Sequence, residues 1–126
     1  MARLRSLLAA FALALSLASL LDLTAVGAAE VTFVLPIANG RLPESMRLIR
    51  VKQGDAVRLR WNSDRPIVLH LHGYDIEIRV EPGKTADMAF TARATGRFPI
   101  EEHKSDARGG HSHGEAPLAR IEVYPR

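Results

Sequence analysis

The chain has no cysteine. That excludes disulfides, thiol nucleophiles and any metal centre that needs a protein thiolate. Aromatic residues are scarce at 6%. They are not interleaved with basic residues, so the stacking surface of a nucleic-acid binder is missing and nucleic acid is not an expected partner. A large charge excess in either direction is missing too. The 17 Lys and Arg and 14 Asp and Glu are interspersed, leaving a net charge of +3. There is no Ser-His-Asp order and no Gly-rich phosphate loop, which argues against an enzyme.

Long apolar runs are also absent after the first residues. The single one, Leu7 to Leu21, follows Arg3 and Arg5 and precedes the small residues Val26-Gly27-Ala28-Ala29. This is the order of a signal peptide, and residues 1–29 are read as one, cleaved after Ala28 or Ala29. The alternative is an uncleaved anchor, which Asp22 and the small residues disfavour. Without cysteine no lipid anchor on that residue can follow. The expected product is a single domain, residues 30–126, periplasmic or secreted and without a stable membrane anchor. It is long enough to build a core without disulfides.

What is present is strand-like alternation. Val31, Phe33 and Leu35 alternate with Thr32 and Val34 until Pro36, read here as the stop. Leu48–Val51 leads to the turn signal Gln53-Gly54-Asp55. Val57, Leu59 and Trp61 alternate with Arg58 and Arg60 and should be buried together. Ile67–Leu71 is another strand. Ile76, Ile78 and Val80 alternate with Glu77 and Arg79 before the turn Glu81-Pro82-Gly83-Lys84. Further strands are expected at Met88–Phe90, Gly96–Ile100 and Ile121–Tyr124. Seven or eight short strands separated by turn signals predict an all-β fold, a Greek-key β-sandwich. Lys104 to Gly114 is rich in Gly, Ser and His and reads as an exposed loop.

All five histidines fall into two segments. The first is Leu69-His70-Leu71-His72-Gly73-Tyr74. In a strand, residues two apart share a face, so His70 and His72 stand roughly 6.5–7 Å apart on one side while Leu69 and Leu71 face the other layer. The second runs from Glu101-Glu102-His103 to His111-Ser112-His113, a second His-x-His in a Gly-rich tract. Imidazole and carboxylate donors suit Cu(II), Zn(II) or Ni(II).

The order of these signals resembles the cupredoxin family. Ile49–Leu59 matches its strand, Gly-Asp turn and strand. Asn62-Ser63-Asp64 matches the loop that follows. His72-Gly73-Tyr74 matches its metal-binding His, Gly or Ser, and aromatic residue. Pro82-Gly83 precedes the apolar Met88-Ala89-Phe90, and Gly96-Arg97-Phe98-Pro99-Ile100 follows the closing signature. The resemblance implies His72 as a ligand and places the family's thiolate position at Glu102. His103 lies next to that position, His111 well beyond it, and no methionine follows. Blue-copper electron transfer is therefore not expected.

The expected metal ligands are His70, His72, Glu102, His103, His111 and His113. The expected cofactor is copper, with zinc or nickel open. A periplasmic carrier, buffer or homeostasis factor follows, with a periplasmic or membrane metal-handling protein as partner. The alternative is a metal-free cupredoxin-like interaction or accessory domain of a transport or redox system.

Overall fold

The computed structural model describes residues 28–103 and 116–126. Residues 1–27 of the expected signal segment, and the candidate ligands His111 and His113, lie outside the described residues. The described chain forms eight strands: β1 (Glu30–Ile37), β2 (Leu48–Lys52), β3 (Ala56–Ser63), β4 (Ile67–Leu71), β5 (Ile76–Val80), β6 (Ala86–Thr91), β7 (Gly96–Glu102) and β8 (Ala119–Tyr124). A short 3-10 turn, Glu44–Met46, precedes β2. No helix among the described residues is long and apolar enough to cross a membrane.

The strands make two mixed sheets, as the alternation predicted for a β-sandwich. A three-stranded sheet has the order β1-β3-β6 and a five-stranded sheet the order β2-β8-β7-β4-β5. β1 runs parallel to β3 and β2 parallel to β8. β1 continues through Pro36, where the sequence suggested a stop. The reason is position: β1 is an edge strand paired only with β3, and a proline without an N–H is tolerated there.

Alternation sets the core. Val57, Leu59 and Trp61 of β3 face inward, as expected, and Leu59 and Trp61 are fully buried. From the other sheet Leu69, Leu71, Ile100 and Ile121 meet them, also fully buried. Each such aliphatic side chain contributes about 1.5–3 kcal/mol by leaving water.

The outward face of the five-stranded sheet is polar and organised. Arg50 on β2, Glu122 on β8 and Arg97 on β7 stand side by side in register. Arg97 Nε donates to Glu122 Oε1 at 2.8 Å, and the Tyr124 hydroxyl donates to Oε2 at 2.6 Å. Arg50 Nε reaches the same Oε2 at 3.3 Å. The Tyr124 hydrogen bond first, then Arg97, holds the Glu122 carboxyl below its usual 4.5. A carboxyl with a depressed folded-state pKa stabilises the fold above its unfolded value, and that contribution disappears as pH falls through the folded one. Urea unfolding of wild type and Glu122→Gln should therefore differ most near neutrality. The gap should narrow progressively below pH 4.5. A gap independent of pH would show that Glu122 acts by packing alone.

Candidate metal centre

β4 brings His70 to the outward face of the five-stranded sheet, while its neighbours Leu69 and Leu71 enter the core. β7 lies beside β4, antiparallel, with Leu71 opposite Ile100, His70 opposite Glu101 and Leu69 opposite Glu102. His72 follows β4 directly, and its N–H donates to the Pro99 carbonyl at 3.0 Å. The N–H of His103, just past β7, donates to the Val68 carbonyl at 2.8 Å. Backbone pairing thus carries His70, His72 and His103 to one face.

His70 and His72 touch. The ring centroids of His70 and His72 are 4.3 Å apart and tilted by 50°. Two imidazoles set about 90° apart around one ion, with metal–nitrogen bonds of about 2.0–2.1 Å, would have centroids about 4.5 Å apart. His70 is 26% exposed and His72 43%, so both are within reach of solvent.

Each of the three described imidazoles faces its own carboxylate. His72 Nε2 lies 3.0 Å from Glu101 Oε2, within hydrogen-bond distance. His70 Nε2 lies 3.5 Å from Asp75 Oδ1, and His103 Nδ1 lies 3.3 Å from Glu77 Oε2. Glu77 sits opposite His70 on β5. Among the described residues, no three His, Asp or Glu side chains converge as one metal ion would require. The arrangement is a set of imidazole–carboxylate pairs.

Glu102 goes elsewhere. It follows Phe98 and Ile100 in the alternation of β7 and so lies on the opposite face from His70 and His72. There Arg65 grips it with both arms, Nη1 to Oε1 at 2.8 Å and Nη2 to Oε2 at 2.7 Å. The pairing raises the Arg65 guanidinium above its ordinary range. At the position where the resemblance puts a thiolate, a carboxylate is already neutralised by a guanidinium. A type 1 copper centre does not fit these residues. The outward face carries imidazole and carboxylate side chains, donor types that copper(II) and zinc accept.

Sequence reasoning missed Glu101, Asp75 and Glu77. The signal was available for Glu101: if Phe98 and Ile100 face the core, Glu101 must face outward with the histidines.

The turn after β4 is tightly built. Gly73 has φ +84°, and a Cβ added there would fall 2.5 Å from Phe98 Cδ1. Only glycine satisfies both demands. Tyr74 then enters between the sheets, its ring 4.6 Å from Phe90 on β6 and 4.9 Å from Phe98 on β7. The wedge fixes where His72 leaves the strand.

A cysteine-free sandwich of two mixed sheets, with this order of strands, has the cupredoxin fold. Solved structures place it among particular relatives in shape. One chain of a heme-copper terminal oxidase dimer aligns with a TM-score of 0.61 at 18% identity, covering 97% of this chain and 94% of that one. The periplasmic domain of subunit II of cytochrome oxidase from Bradyrhizobium japonicum gives 0.59 at 17% identity, covering 79% and 88%. A copper binding protein in its apo form gives 0.57 at 11% identity, covering 75% and 88%. No protein-family model and no curated protein matches the chain. At these identities the likeness is one of fold.

Proposed function

We propose that the chain is a periplasmic copper-binding protein with a thiolate-free site, acting as a carrier, buffer or homeostasis factor. The observation that carries this reading is the contact between the His70 and His72 rings on one sheet face, at the spacing two ligands of one ion adopt. His103 reaches the same face, and His111 and His113 are the further donors in this reading. Copper heads the Irving–Williams order for such nitrogen and oxygen donors, and zinc or nickel are the competing ions. Similarity in fold to a copper binding protein and to a periplasmic oxidase domain supports the metal and the compartment.

The test is titration of purified residues 30–126 with Cu(II), read by calorimetry, absorbance and electron paramagnetic resonance. Stoichiometric binding with a pale, tetragonal spectrum is expected, since no thiolate can supply an intense charge-transfer band. Absence of stoichiometric binding would sink the reading. The second reading, a metal-free accessory or interaction domain, would then stand. It draws on the pairing of each of these three imidazoles with a carboxylate rather than with one another around a point.

A further inference from the structure

β2 is an edge strand, paired only with β8 and parallel to it. In a parallel ladder, alternate residues turn both backbone groups toward the same neighbour. The Arg47 carbonyl accepts from the Arg120 N–H, and the Gln53 N–H donates to the Tyr124 carbonyl, so Ile49 and Val51 between them also face β8. The N–H and C=O groups of Leu48 and Arg50 therefore point away from the sheet, and no described residue hydrogen-bonds to them. Lys52 closes this open stretch, because Asp55 takes both its N–H and its carbonyl.

The side chains along the edge are cationic and apolar. Leu48 stands beside Arg120, Arg50 beside Glu122 and Arg97, and Lys52 beside Tyr124. Four cations meet one carboxylate here, an excess of three that equals the +3 of the entire chain. The Lys52 and Arg120 side chains have no ion-pair partner among the described residues. The large apolar side chains exposed among the described residues are Val34, Met46, Leu48 and Tyr124, and all but Val34 flank this edge. Met46 and Leu48 lie at its start and Tyr124 at its end. Short cationic edges ordinarily keep sheets from pairing with one another. A second copy would bring the same cations to β2 and is repelled. An acidic strand is attracted instead, and protection alone gives no reason to expose apolar side chains at both ends.

We propose that the edge of β2 docks an extended, acidic segment of a partner protein, added to the sheet as a further strand. Its backbone pairs with the open groups of Leu48 and Arg50. Carboxylates at alternate positions lie beside Arg50 and Lys52, and an apolar side chain covers Leu48. The inference is separate from the metal-binding reading, since β8 and β7 stand between β2 and the histidine strand β4.

The probe is a fluorescent peptide, Leu-Thr-Glu-Thr-Glu-Thr-Leu, which reads the same in either strand direction. Anisotropy titration of the purified protein should show saturable binding that weakens with salt. A peptide with Lys in place of Glu should not bind. N-methylation of one alternate set of peptide amides should abolish binding, and of the other set should leave it intact. Amide hydrogen exchange should show Leu48 and Arg50 protected only when the peptide is present. Arg50→Glu/Lys52→Glu should weaken binding about tenfold, the scale of losing two exposed ion pairs and gaining two like-charge contacts. The peptide variants leave the protein unaltered, so they decide the matter even where that double variant folds poorly. Absence of binding, or binding without protection of Leu48 and Arg50, overturns the proposal. Protection of these amides without peptide, through a dimer, overturns it too. So does binding to anionic phosphatidylglycerol vesicles in preference to the peptide, which would make the face a membrane surface.

Discussion

Replacing His70 and His72 together by alanine is expected to lower Cu(II) affinity by about 100-fold or more, roughly 3 kcal/mol. The fold should survive, because both side chains lie on the outward face and the core partners Leu69 and Leu71 are unchanged. The size of the effect comes from preorganisation. His70 is held within β4, His72 is tied to β7 through Pro99, and the rings already touch. Little ordering remains to be done on binding, so removing these ligands forfeits most of what the sheet contributes. Calorimetric titration of the double variant beside a His111→Ala/His113→Ala variant decides the point. If the second variant loses all binding and the first loses none, the sheet holds no ligand and the Gly- and His-rich tract is a chelating tail.

Trp61→Ala should destabilise the domain by about 3–5 kcal/mol. Trp61 is fully buried on β3, between Leu35 of β1 and Ala86 of β6 in the ladder. Removing the indole empties the largest fully buried side-chain volume in the described core. The surrounding strands are held by their ladders and can collapse into the space only in part. Such a loss is a large fraction of the 5–15 kcal/mol that stabilises a typical domain. Equilibrium urea unfolding followed by far-ultraviolet circular dichroism measures it. A cost below about 1 kcal/mol would mean that the core repacks freely around this position. The indole Nε1 is buried without a hydrogen-bond partner among the described residues. Trp61→Phe, which removes that unsatisfied donor and retains a ring, should therefore cost much less than alanine.

The fold was legible where alternation is strict. Val57, Leu59 and Trp61 on β3, and Ile76, Ile78 and Val80 on β5, announce both the strand and its inward face. Pro36 misled because a sequence does not state which strand is at an edge, and only an edge strand accepts it. The site was legible in part. Two histidines on one face of a strand follow from the strand alone, whereas the neighbour relation of β4 and β7 is a matter of sheet topology. The pairing of His72 with Glu101 was half legible: alternation turns Glu101 outward, but which histidine it meets depends on register. The engagement of Glu102 by Arg65 joins residues 37 positions apart, on the β3–β4 loop and the end of β7. No local pattern encodes that contact.

The parallel pairing of β2 with β8 has a consequence for how the chain comes into being. The earliest strand of the larger sheet waits for the last, with Ile49 opposite Ile121. Arg126, just past β8, adds to the joint by engaging the buried carboxylate of Asp55. Such a long-range pair forms only after a large loop has closed, which slows folding relative to a chain of local hairpins. While the polypeptide is still emerging, β4 and β5 can pair but the sheet cannot close. Closure of the larger sheet is therefore postponed until β8 is available, and until then β2 has no neighbour among the described strands.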